Sequence, residues 1–192
     1  MPPRQEFLEK GFPKASLRTI VKEAGVTTGA LYGYYGSKEA LFDALVEECY
    51  THFLSAYRNA LDDFDRLPIE QQPERMSTVS QACLEELLLY MFNHREAFHL
   101  LLLCSEGTHY SSMKEELVQL EVNATHRYYL VLEKLGTPAP QIDPRLEHIL
   151  LTGLMNAYFE MIIHDMPLAD AQQYLRELHS FYSAGWLKIM GQ

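Results

Sequence analysis

The sequence predicts an all-α protein, a helix-turn-helix head followed by a larger helical body. Three observations carry this: apolar residues recur at steps of three and four over long stretches, strict alternation with strand-like turn signals persists nowhere, and glycine and proline gather where helices should stop. A chain of 192 residues with 47% apolar and 22% charged residues and no low-complexity tract is expected to fold throughout and to bury a core. Its longest unbroken apolar run, Leu87 to Phe92, is six residues, against the roughly 18 that a membrane helix needs. No membrane partner is therefore expected. The start, MPPRQEFLEK, lacks the apolar core of a secretory signal, and Cys49, Cys83 and Cys104 are an odd number without metal-ligand spacing. A reducing cytoplasm is the expected location.

The head opens with short elements. Five of the ten glycines, at 11, 25, 29, 33 and 36, fall in the first 36 residues. Ser16 is placed to cap a helix that turns Leu17, Ile20, Val21 and Ala24 inward; Gly25 supplies a sharp turn, Val26 pins it, and Thr27 caps a second short helix. In that second helix Leu31 and Tyr35 are expected inside. Thr28, Ala30, Tyr32, Gly33 and Tyr34 are small or hydroxylated and suit close approach to another molecule. Free N–H groups at both helix starts favour phosphate, and Lys38 follows one turn later to reinforce them.

The body opens with a long helix, since Phe42, Leu45, Cys49, Phe53, Ala56, Ala60 and Phe64 share one face and no proline intervenes between Pro13 and Pro68. Ser37 caps its start. Asp62, Asp63 and Asp65 oppose the helix dipole, which predicts an end near Leu61. A second stripe runs through Met76, Val79, Cys83, Leu87 and Met91, and a short, very apolar helix through Glu96 to Cys104 stops at Gly107. Met113, Leu117, Leu120, Ala124, Tyr128, Val131 and Leu135 form the next, ended by Gly136-Thr137-Pro138. Asp143 and Pro144 open a helix with Leu146, Leu150, Leu154, Tyr158 and Met161, and Pro167 separates it from a last one with Leu175, Leu178, Tyr182, Trp186 and Ile189.

The net charge of −10 is unevenly spread. Residues 1–45 hold six Lys/Arg against five Asp/Glu, which leaves the remainder at −11. Such a division lets the head meet a polyanion while the body repels it. No Gly-rich phosphate loop, Gly-x-Ser-x-Gly elbow or metal-binding histidine pair appears, so the chain is not expected to be an enzyme or to carry a cofactor or metal.

Between Ser16 and Leu41 the sequence SLRTIVKEAGVTTGALYGYYGSKEAL resembles the head of the TetR-type bacterial transcriptional regulators. Ser16, Ile20, Ala24, Gly25, Val26, Thr27, Gly29, Leu31, Tyr32, Tyr34, Ser37, Lys38, Glu39 and Leu41 fall in register with that family's pattern. The resemblance implies a head at 1–45 that binds DNA and a body at 46–192 that binds an effector and dimerises. It implies a ligand-responsive regulator, a repressor released from double-stranded operator DNA by a small-molecule inducer that holds the two heads of a homodimer at the wrong separation. Ser16, Thr27, Thr28, Gly29, Ala30, Tyr32, Tyr34 and Lys38 become the expected DNA contacts. Phe98, Leu102, Tyr128, Asn156 and Tyr158 are the expected effector pocket, suited to an uncharged or weakly anionic aromatic or lipid-like ligand. The last two helices, with Tyr158, Tyr182 and Trp186, are expected to pair between subunits. Relatives carry more helix before the point where this chain starts, so either the true start lies upstream or helix 1 is short. The alternative function is a helical dimeric interaction module that has lost DNA binding for that reason.

Overall fold

The computed structural model describes residues 2–191, and among them every regular element is a helix. Nine α-helices follow among these residues in chain order: α1 (Pro2–Lys14), α2 (Leu17–Ala24), α3 (Thr28–Tyr35), α4 (Lys38–Asp65), α5 (Gln72–Asn93), α6 (Arg95–His99), α7 (Met113–Lys134), α8 (Pro144–Ile163) and α9 (Leu168–Ile189). A π-helical turn, Leu100–Cys104, continues α6, and a 3-10 turn, His109–Ser112, precedes α7. The chain packs as two compact units, one of residues 1–52 with 93–113 and one of 53–92 with 114–192. Residues 46–52 and 93–113 thus pack with the head, although they follow the division read from the sequence.

In the first unit an aromatic cluster forms the core. Phe7 and Phe12 of α1 stack at 6.1 Å and meet the Phe42 ring edge-on at 5.1 and 5.3 Å. Full burial of each such ring contributes about 1.5–3 kcal/mol, and Phe7 and Phe42 have no exposed surface. Helix 1 therefore supplies the cover that the head needs. It does so with Phe7 and Phe12, while Leu8 stays exposed. Gly11, at φ 71°, breaks α1 and lets the chain turn so that both rings reach the same core. From the second segment, Tyr110 packs 5.9 Å from Phe42 and donates its phenolic hydrogen to Glu47, while Glu96 pairs with Arg4 at 2.7 Å.

The second unit is built from the latter part of α4 with α5, α7, α8 and α9. Leu84, Leu88, Met91, Leu117, Leu132, Leu151, Phe159 and Leu175 are buried in it. Tyr158 is enclosed as well, and its hydroxyl donates to the Leu84 carbonyl at 2.8 Å. Gly153 permits close packing of α8 on α9, since a Cβ there would lie 2.8 Å from the Tyr182 hydroxyl.

Most punctuation follows the sequence. Ser37 accepts from the Ala40 N–H at 3.0 Å, Asp143 from the Arg145 N–H at 2.8 Å, and Gly136 stands at φ 78° just past α7. The end of α4 does not. It runs to Asp65, four residues beyond the expected stop at Leu61. Its terminal acids are offset by cations, with Asp65 accepting from Arg127 at 2.5 Å and Asp63 from Arg66 at 2.7 Å.

Candidate nucleic-acid interface and body cavity

The candidate interface is the pair α2 and α3. Ser16 caps α2 by accepting from the Thr19 N–H at 3.4 Å, and the Ser16 N–H itself donates to the buried carboxylate of Glu6 at 2.9 Å, which ties α1 to the start of α2. Gly25, left-handed at φ 66°, closes α2 by donating to the Lys22 carbonyl, and the Val26 N–H donates to that of Val21. Thr27 then caps α3 through the Ala30 N–H at 3.1 Å. Each is a small local bond of about 1 kcal/mol. Together they fix where the two helices begin and how the chain turns between them.

Helix α3 buries one residue, Leu31, and exposes the rest. Tyr32 and Tyr34 keep 50% and 86% of their surface, so these rings serve no core in the isolated chain. Tyr35 is exposed too, as are Val26 at 47% and Ala24, which corrects the expectation that these three turn inward. Leu31 with Ile20 and Val21 of α2 suffices to anchor so short a motif, and the other apolar atoms are left at the surface.

Lys38 lies apart from the remaining expected contacts in what it touches. Its ammonium donates to three carbonyls, Phe12 at 2.8 Å, Pro13 at 3.2 Å and Ala15 at 3.3 Å, and sits 4.6 Å over the Phe12 ring. It joins the start of α4 to the end of α1. The exposed cations of this face are Arg18 and Lys22, one turn apart on α2, with Lys14 just before it. None was singled out residue by residue from the sequence, although the local excess of positive charge was its signal.

The second unit contains a cavity of about 140 Å³. Tyr57, Phe64, Tyr128, Tyr182 and Trp186 supply aromatic walls, and Cys83, Glu121, Ser80, Thr125 and His179 supply polar atoms. Of the five expected pocket residues, Tyr128 lines it. The other four are placed elsewhere. Phe98 is wholly buried and Leu102 half-buried in the first unit, because α6 and its π-helical extension pack with the head. Asn156 is exposed and accepts from Lys114 at 3.3 Å, and Tyr158 is held by the Leu84 carbonyl. Trp186 and Tyr182, expected between subunits, are half-buried and line the cavity.

Glu121 is the residue that the sequence reading missed. Its signal was present, since Leu117, Glu121, Ala124 and Tyr128 step by four, three and four and so place an acid on an apolar stripe. Burial raises its carboxyl above the usual range, although the Tyr57 hydroxyl, which donates to it, acts in the opposite direction. Burial and the fields of Glu121 and Glu86 push the Cys83 thiol up to about 12, so it stays protonated. Burial lowers His179, with Glu85 opposing, which favours the neutral ring. Among the described residues no group of three His, Cys, Asp or Glu could hold a metal ion, and no helix is long and apolar enough to cross a membrane.

The described residues thus form a capped helix-turn-helix, α2 to α3, followed by further helices. Residues 4–45 match the family described as bacterial regulatory proteins, tetR family. The chain is 33% identical over 99 residues to the uncharacterized HTH-type transcriptional regulator YvdT of Bacillus subtilis (strain 168), a match that covers 52% of this chain and 45% of that protein. It is 34% identical over 59 residues to the HTH-type transcriptional regulator UidR of Escherichia coli (strain K12), covering 31% and 30%. The chain thus spans less than half the length of these curated relatives. Its fold is similar to that of the TetR family transcriptional regulator PfmR from Thermus thermophilus, with a TM-score of 0.56, 15% identity and coverage of 94% of this chain and 91% of that one. A transcriptional regulator from Aquifex aeolicus gives a TM-score of 0.50 at 22% identity, covering 92% of each chain.

Proposed function

We propose that this protein is a homodimeric transcriptional regulator whose head, residues 1–45, binds double-stranded operator DNA and whose body, residues 46–192, dimerises and binds a small-molecule inducer. The observation that carries the reading is α3 itself, a capped helix with one buried anchor and an exposed surface of Thr28, Ala30, Tyr32 and Tyr34. In a major groove Thr28 and Ala30 touch base edges, Ala30 against a thymine methyl, and Gly29 lets the backbone come close. Ser16, Thr27, Tyr32 and Tyr34 hold phosphates. Arg18 and Lys22 join them, and Lys38 acts through its charge and by fixing α1. The packing of Phe7 and Phe12 on Phe42 favours a working head over an interaction module that has lost DNA binding.

The body cavity is the effector site in this reading. An inducer that binds best to a state unable to hold DNA shifts the population toward that state and derepresses the gene. The test is fluorescence anisotropy of the purified protein on the DNA upstream of its own gene, in increasing salt. With about 4–6 phosphates neutralised by the two heads, affinity should fall steeply between dilute and physiological salt. Binding indifferent to salt overturns the reading.

A further inference from the structure

The cavity in the second unit has an electrostatic bias that its shape alone does not require. Among its lining residues there is no Lys or Arg, and Glu121 is the acid. One Glu121 oxygen accepts from Tyr57, whereas the other, Oε2, has no hydrogen-bond partner among the described residues. The unit around it carries nine Lys/Arg against seventeen Asp/Glu. An ionised carboxylate enclosed by aromatic rings is costly without a counter-charge, and a protonated one sacrifices its stronger interactions. An entering cation removes that cost and lies among the aromatic side chains of Tyr57, Tyr128, Tyr182 and Trp186, a residue class that attracts cations. An entering anion meets like charge, and a neutral ligand gains neither term. The volume of about 140 Å³ limits the guest, since a cavity of about 150 Å³ holds one benzene ring.

We infer that the cavity takes a compact organic ammonium ion of about one aromatic ring in size, with Glu121 as its counter-charge and the tyrosine and tryptophan rings as its walls. This rests on reading the cavity as the effector site, and it replaces the neutral or weakly anionic ligand expected from sequence. It also gives Glu121 a use that packing does not, because an apolar residue there would complete the stripe of α7.

Three probes of similar size and different charge separate the possibilities: 2-phenylethylammonium, 2-phenylethanol and phenylacetate. Each is titrated by calorimetry into the full-length protein and into its Glu121→Gln and Ala124→Phe variants, with circular dichroism to confirm their folds. The ammonium should bind at least about tenfold more tightly than the alcohol, phenylacetate should bind most weakly, and Glu121→Gln should remove the preference while leaving the alcohol unchanged. Ala124→Phe, which fills the cavity, should abolish binding of all three. Alcohol or phenylacetate binding as tightly as the ammonium, and lost in Ala124→Phe, overturns the ammonium assignment but leaves the cavity as a ligand site. An ammonium preference that persists in Glu121→Gln overturns Glu121 as its counter-charge. If none of the three binds, and benzene and toluene give no thermal shift either, both the assignment and the cavity reading fall.

Discussion

Lys38 is placed by sequence where a phosphate contact would be useful, yet its ammonium is occupied by the carbonyls of Phe12, Pro13 and Ala15. These residues lie more than twenty positions earlier, so no local pattern near Lys38 could reveal them. A charged donor shared among carbonyls at a half-buried site contributes about 1.5–3 kcal/mol, and Lys38→Ala should reduce unfolding free energy by about that amount in urea titrations. It should also weaken binding to all DNA sequences alike, because it loosens α1 and removes a charge without touching a base. Unchanged stability would show that the three bonds are solvent-exchangeable and carry little. Glu121 teaches the converse. Its register on α7 was legible in the heptad-like stepping of its neighbours, but only the cavity shows that an acid on an apolar stripe has somewhere to act.

At the scale of elements, the start and stop chemistry was the readable part. Ser16, Thr27, Ser37 and Asp143 accept from N–H groups two or three residues on, and local bonds of this kind depend on nothing distant. Where tertiary contacts decide, the reading departed from the outcome. Helix α4 passes its expected stop because Arg127, 62 positions away, neutralises Asp65, and the four leucines after His99 gave no sign that α6 would widen into a π-helical turn. Helix α3 offers a test of both local and functional terms. Gly33 lies inside it with nothing within 4 Å of an added Cβ. Gly33→Ala should therefore stabilise the head by about 0.5–1 kcal/mol through helix propensity alone, seen as a higher midpoint in thermal unfolding. If α3 enters a groove, the same methyl group should lower DNA affinity while stability rises. A rise in both would place the backbone of residue 33 away from DNA.

For the whole molecule, we propose that the exposed apolar surface on the last two helices is the dimer contact. Leu146, Ile149, Tyr174 and Phe181 stand in solvent on α8 and α9, with Ile149 at 63% and Phe181 at 73% exposure. Of the residues expected there from sequence, Tyr182 and Trp186 are half-buried and line the cavity, and Tyr158 is enclosed in the second unit. A chain of net charge −10 is otherwise well solvated, so isolated rings and branched chains on two adjacent helices are costly unless a second copy covers them. The self-complementary patch of a twofold dimer meets that need with one surface. The wild-type protein should therefore give twice its 22.2 kDa chain mass by light scattering at micromolar concentration. Ile149→Glu with Phe181→Glu should give the single-chain mass with the helical circular dichroism signal retained, since neither side chain is part of the core. The consequence reaches the head without any change to it. Two heads joined in one particle should bind both halves of a palindrome, with centres about 34–36 Å apart or a multiple, the second contact being intramolecular. Separating the copies should cost about 10²-fold or more in operator affinity while leaving binding to a half-site unchanged. A double variant that remains dimeric would move the interface to another face of the body, and a monomeric variant with full operator affinity would separate DNA binding from dimerisation altogether.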